Sequence, residues 1–172
     1  MNTNQLVSSW YDEFGTMIFT YILMNTKDYY LAEDILQEVF IKAYKNYDSY
    51  QANSSFKTWI FKIAQNTTID FMRKKNALKY YIELTLNERD TKPLPEQILQ
   101  LNEEELQLYH AIQTLKLHLR QVILLRKIKG FSTKETAEIL NWSESKVKSN
   151  LKRGLVELRK SLVEGGFEYE GI

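Results

Sequence analysis

Apolar residues return at helical intervals along most of this chain, and no long two-residue alternation of the strand type replaces them. The stretch from Leu6 to about Asn25 is rich in apolar residues and has no proline. It predicts a first helix whose rings, Trp10, Tyr11, Phe14, Phe19 and Tyr21, line a core. Asp28 stands where a cap for a second helix is expected. In that helix Leu31, Ile35, Val39 and Ala43 fall four apart as a buried stripe, leaving Glu33, Asp34, Gln37, Glu38 and Lys42 on the other faces. The polar run 51–55 reads as a loop, and Ser54 or Ser55 caps a third helix reaching about Ala77. Trp59, Ile63, Ile69 and Phe71 supply its apolar surface, and Arg73, Lys74 and Lys75 form a basic end that suits the helix dipole. The pattern fails over 87–95, where two prolines stand among charged residues, and resumes over 96–115 and 119–128. The fold class expected is all-α, two small helical domains joined by a linker.

Residues 132–160 carry the sharpest local signal. Ser132-Thr133-Lys134-Glu135 fits a capping box opening a short helix. Ala137 is small, as a close crossing of two helices requires. Asn141 tolerates the left-handed conformation of a tight turn, Trp142 is expected to plug the corner, and Ser143 caps the next helix. There Val147, Leu151, Leu155 and Leu158 are expected on the inner face. Ser145, Lys146, Ser149, Lys152 and Arg153 take the outer one. Short polar and long basic side chains on an exposed face suit entry into a DNA major groove, so this is read as a helix-turn-helix.

Charge changes the picture more than composition does. The net charge of +1 conceals a basic block: residues 113–160 carry 12 Lys and Arg against four Asp and Glu, a net +8, while residues 1–90 are nearly neutral. Such a block is the footprint of a nucleic-acid-binding module. Arg126, Lys127 and Lys129 precede the helix-turn-helix as further backbone-contact candidates. The chain has no Cys, its two His stand eight apart without a completing ligand set, and no glycine-rich phosphate loop or nucleophile elbow occurs. The expectation is therefore no enzyme, no catalytic residue, no metal and no cofactor. The start lacks a signal-peptide pattern, and the apolar run Met17–Met24 is too short to span a bilayer, which leads to the expectation of a cytoplasmic protein.

Three stretches together resemble the extracytoplasmic-function (ECF) sigma factors, the two-domain minimal class of the sigma-70 family. Residues 31–40 (LAEDILQEVF) look like region 2.2. Residues 55–66 (SFKTWIFKIAQN), followed by Asp70 and Arg73, look like regions 2.3 to 2.4, and Leu115 through Leu162 resembles region 4. The sequence departs from the family where Lys116 replaces the usual Pro, Thr136 a branched apolar residue, and Asn141 a Gly. The resemblance implies region 2 over 1–86, a linker over 87–101, region 4 over 102–164 and a tail over 165–172. It implies a factor that brings core RNA polymerase to promoters and assists strand opening. Asp34, Gln37 and Glu38 would dock on the clamp helices of the largest polymerase subunit. Tyr50, Gln51, Ala52, Asn53, Ser54, Ser55 and Asn66 would serve the minus-ten element, with Arg73, Lys74 and Lys75 on its phosphates. Ser145, Lys146, Ser149, Lys152 and Arg153 would read the minus-thirty-five element. Val122, Leu124 and Leu125 are core with a contribution to the polymerase flap-tip site, and an anti-sigma factor, often membrane-bound in this family, is a further partner. The rival reading is a helix-turn-helix regulator with an N-terminal dimerisation or ligand domain; it leaves the patterns over 31–40 and 55–66 unaccounted for.

Overall fold

The computed structural model describes the backbone of residues 3–83 and 96–166, with the side chains of 5–78, 96, 98 and 100–166. Every regular element among them is helical. The chain divides into two compact units, Met1–Pro93 and Leu94–Ile172.

The first unit packs three helices against one another: α1 (Thr3–Thr26), α2 (Tyr29–Asn46) and α3 (Phe56–Glu83). Ile18, Tyr21 and Ile22 of α1 meet a core that includes Ile35, Val39 and Ala43 of α2 and Ile60, Phe61 and Ala64 of α3, all fully buried. Leu31 is only half-buried; Ala32, Leu36 and Phe40 widen the α2 stripe instead. This broader face is what a helix needs when two neighbours pack on it. The Tyr21 hydroxyl donates to Gln65 Oε1 at 2.6 Å, so the buried phenol is satisfied. Burial also pushes its pKa well above the ordinary tyrosine range.

Two side chains fix where α2 and α3 begin. Asp28 Oδ1 accepts from the Leu31 N–H at 3.2 Å, and Ser55 Oγ accepts from the Thr58 N–H at 3.1 Å. Asp28 also uses its second oxygen, which pairs with Lys75 Nζ at 2.5 Å and ties α3 to the start of α2. Lys75 is therefore engaged inside the unit and is not a cation held out for phosphate, a correction to the expected basic end of α3. With 28 residues α3 runs about 42 Å, past the expected end near Ala77.

In the second unit the periodic stretch 96–115 is broken. A short α4 (Glu96–Leu99), inside the stretch expected as linker, is followed by α5 (Glu103–Thr114), and the expected linker residues 87–95 lie outside the described residues. The break is local chemistry: Asn102 caps α5, its Oδ1 accepting from Glu105 N–H at 2.9 Å while Glu105 Oε2 accepts from Asn102 N–H at 3.0 Å. Next, α6 (Leu117–Ile123) continues through a π-helical turn, Leu124–Ile128. This rod is the centre of the unit. Leu119, Val122, Ile123, Leu124 and Leu125 are all buried, so Val122, Leu124 and Leu125 offer no surface to a flap-tip site. Arg120 is buried too and donates to Gln113 O at 3.3 Å. Burial lowers its pKa and raises that of Tyr109, and the attraction between the two opposes both shifts.

Helices α7 (Thr133–Leu140) and α8 (Glu144–Glu164) complete the unit, and α8 packs on α5, α6 and α7. Its buried positions are Val147, Asn150, Gly154 and Leu158. Leu151 is half-buried and Leu155 is 38% exposed, so the inner face lies rotated from the expected Val147–Leu151–Leu155–Leu158 line. Gly154 explains the rotation. A Cβ there would stand 3.0 Å from Ile123 Cδ1 and 3.5 Å from Leu119 Cβ, so the missing side chain lets α8 lie close on α6. Gly154→Leu should thus cost about 1–3 kcal/mol through overpacking, whereas Leu155→Ala should stay within about 0.5 kcal/mol. Chemical denaturation of both variants would check this, and a neutral Gly154→Leu beside a destabilising Leu155→Ala would mean that Leu155, not Gly154, faces the core.

Candidate nucleic-acid interface

The helix-turn-helix forms as its local chemistry dictates. Ser132 Oγ accepts from Glu135 N–H at 3.1 Å and Glu135 Oε2 accepts from Ser132 N–H at 2.7 Å, completing the capping box of α7. Asn141 closes that helix at φ 54°, ψ 47°, the left-handed conformation. The Trp142 N–H then reaches back to Ala137 O at 2.9 Å, and Ser143 Oγ accepts from Lys146 N–H at 3.1 Å to start α8. Ahead of the motif, Arg126 donates to the Phe131 carbonyl and so braces the turn at Gly130; it is spent within the fold. Lys127 is exposed and Lys129 half-buried.

On α8 the side chains of Ser145, Lys146, Ser149, Lys152 and Arg153 are all exposed, opposite the buried Val147, Gly154 and Leu158. Lys148 and Val156 share that exposed surface and escaped the sequence reading. Trp142 is half-buried, and Lys146 Nζ lies 4.4 Å from its ring centroid.

In the first unit the loop before α3 exposes Gln51, Ala52, Asn53 and Ser55, with Ser54 half-buried and Ala52 at φ 54°. The Tyr50 hydroxyl donates to Ser54 O at 2.7 Å and fastens the loop. Behind it lies an aromatic cluster centred on Phe56, whose ring stands 5.0–6.3 Å from those of Trp10, Phe14, Tyr47, Tyr50 and Trp59. Phe56 is thereby a packing residue, while half-buried Trp59 borders the loop through Tyr50 at 5.1 Å. Exposed Tyr47 lies nearly parallel to Tyr50, an interplanar angle of 20°, and adds a ring the sequence reading did not include. The only hint was the three-residue spacing of the two tyrosines. From Trp59 the exposed edge of α3 continues through Asn66, Asp70, Arg73 and Lys74, positions that helical geometry sets on one side. Asn66 stands about 15 Å along the helix from Phe56, so it shares a ridge with the loop without adjoining it. On α2, Asp34 and Gln37 are exposed and Glu38 half-buried. They lie beside exposed Tyr30, Ile41 and Tyr44, a mixed acidic and apolar surface facing away from the core.

Comparison with known proteins matches each unit to a different sigma-70 region. A Sigma-70 region 2 model matches residues 10–77, and a Sigma-70 region 4 model matches residues 105–158. The chain belongs to the ECF class of the sigma-70 family. It is 36% identical over 157 residues to the ECF RNA polymerase sigma factor SigX of Bacillus subtilis (strain 168), covering 88% of this chain and 81% of the relative. The fold is that of the sigma factor RpoE solved with the anti-sigma factor NepR from Bartonella quintana. That match has a TM-score of 0.74 at 22% identity and covers 90% of this chain and 96% of the other. It is also similar to CnrH in complex with the cytosolic domain of CnrY, with a TM-score of 0.70 at 19% identity over 94% of this chain and 90% of that one.

The three departures of this ECF sigma factor from its family's pattern now have physical readings. Lys116 stands at φ −58°, ψ 145°, and Leu115 before it at φ −68°, ψ 147°, so the backbone already holds the conformation proline would impose. Asn141 supplies the left-handed turn without glycine. Thr136 is the costly one, because it is fully buried and its hydroxyl oxygen has no partner among the described residues. Thr136→Val should raise stability by about 1 kcal/mol, Lys116→Pro by about 0.4–1 kcal/mol through the unfolded chain, and Asn141→Gly should be nearly neutral. Thermal melts of the three variants would check the order, and a destabilised Thr136→Val would show that the hydroxyl is satisfied in solution.

Proposed function

We propose that this chain directs core RNA polymerase to specific promoters and assists opening of the strands there, acting in the cytoplasm as an initiation factor and not as an enzyme. The observation that carries the reading is the occurrence, in order on one chain, of sigma regions 2 and 4. Each of them presents an exposed polar surface suited to a different partner. A regulator built on the helix-turn-helix alone would account for α7 and α8 but not for the first unit.

In this reading the division is region 2 over 1–86, linker over 87–101, region 4 over 102–164 and tail over 165–172. Asp34, Gln37 and Glu38 meet the clamp helices of the largest polymerase subunit, where exposed carboxylates pair with basic side chains and Ile41 and Tyr44 add apolar contact. The loop Tyr50–Ser55 takes up a base from the opened minus-ten element, with aromatic faces behind it for stacking. Asn66 lies further along the same ridge, and Arg73 and Lys74 hold phosphate. No nucleotide hydrolysis is required: the unpaired base is captured as it leaves the stack. Ser145, Lys146, Ser149, Lys152 and Arg153 enter the major groove at the minus-thirty-five element, some on base edges and some on phosphates. Contact with the flap tip falls to side chains other than the buried Val122, Leu124 and Leu125. An anti-sigma factor, often membrane-bound in this family, is the expected antagonist; the similarly folded sigma factor RpoE was solved in complex with the anti-sigma factor NepR.

Run-off transcription by core polymerase on fragmented genomic DNA tests the whole reading: discrete transcripts dependent on this chain are expected, and none would overturn it. Replacing Asp34 and Glu38 together with Lys should weaken capture of core polymerase at least tenfold while the thermal melt stays within a few degrees, since neither side chain belongs to the core. Unchanged capture would assign both carboxylates to solvent. Asn66→Ala should reduce permanganate reactivity of the minus-ten thymines with polymerase affinity intact, and normal reactivity would remove Asn66 from the opening step.

A further inference from the structure

We infer that Trp142 is a positioning residue for promoter recognition: its indole face holds the Lys146 ammonium so that Lys146 reads one base pair of the minus-thirty-five element. The inference rests on the DNA reading proposed for region 4 and adds the device by which one side chain of that surface acquires sequence preference.

The geometry is local and complete. Ser143 caps α8 through the Lys146 N–H, so Lys146 is the third residue of the helix and its side chain leaves from the first turn. That end of a helix carries the positive pole of the dipole, which disfavours a cation. An unrestrained lysine there would extend into water. Instead Nζ sits 4.4 Å from the Trp142 ring centroid, within cation–π range, although Lys146 is exposed. The residue that carries the ring is itself anchored: Trp142 is half-buried, follows the left-handed Asn141, and its backbone N–H donates to Ala137 O at 2.9 Å. The turn of the helix-turn-helix thus supplies a platform, and the recognition helix supplies the cation lying on it.

The consequence follows from what the two kinds of DNA contact require. A phosphate needs only a positive charge within reach, and a mobile lysine provides it. A base edge needs a donor at one place, such as beside the O6 and N7 acceptors of guanine in the major groove. A lysine already held on a ring has surrendered rotamer freedom before DNA arrives, so less is lost on binding. Trp142 therefore acts on selectivity and leaves the number of phosphate contacts alone.

The test uses the full chain with core polymerase, binding a library randomised across the minus-thirty-five element at several salt concentrations. Lys146→Ala should flatten preference at one base-pair position. Trp142→Leu should flatten the same position about two- to fivefold, with the salt slope unchanged, and the double variant should be no worse than Lys146→Ala alone. Trp142→Tyr, which keeps a ring face, should restore most of the preference. Should Trp142→Leu fail to melt cooperatively, Trp142→Phe carries the same expectation at reduced size. Arg153→Ala is the contrast, weakening all sequences alike and lowering the salt slope by about one. The inference is overturned if Trp142→Leu leaves preference intact, weakens every sequence equally, or adds to Lys146→Ala. If the wild-type chain and polymerase show no promoter binding at all, the proposed function fails first, and that outcome is distinct from promoter binding indifferent to Trp142.

Discussion

A helix leaves its first four N–H groups without intrahelical partners, and a side chain that accepts from one of them decides where the helix begins. Asp28, Ser55, Asn102, Ser132 and Ser143 do this for α2, α3, α5, α7 and α8. Because successive residues turn by about 100°, each helix once begun carries its side chains at fixed angles to one another, and packing then selects which of them face outward. The acidic edge of α2, the ridge of α3 and the basic face of α8 all depend on both. Five short polar contacts, each spanning three residues, set where the helices bearing those surfaces begin.

The two units solve the packing problem differently. Region 2 builds its core between three long helices, and near the loop it relies on rings clustered about Phe56. That cluster gives an exposed polar loop a stiff apolar floor, which suits the base capture proposed for it. Region 4 is organised around the buried rod of α6 and its π-helical extension, over which α7 and α8 fold. The absence of a side chain at Gly154 is what brings α8 down onto that rod.

Basic residues divide accordingly. Lys75, Arg120 and Arg126 serve the interior: one clasps Asp28, one lies among buried neighbours beside Gln113, and one braces the turn ahead of the helix-turn-helix. Arg73, Lys74, Lys152 and Arg153 project into solvent. Lys146 belongs to neither group, being exposed yet held against Trp142. A net charge counted along the sequence therefore overstates the cations left exposed, and the fold decides which remain.

What the sequence determined by itself is whatever depends on neighbours in the chain. The caps at Asp28, Ser132 and Ser143 and the left-handed turn at Asn141 were legible because each involves residues at most four apart. The all-helical class followed from the same local periodicity. The break at Asn102 was equally local but was hidden by the apolar pattern on both sides of it. Only the tertiary structure could decide the rest. The partner of Lys75 lies 47 residues away, and the inner face of α8 depends on contact with Ile123 and Leu119. Leucines at 151 and 155 looked buried because they are apolar, but a helix buries the side that fits its neighbour. Here the close fit is made by a glycine, whose contribution lies in the volume it does not occupy and leaves no hydrophobic signal to read.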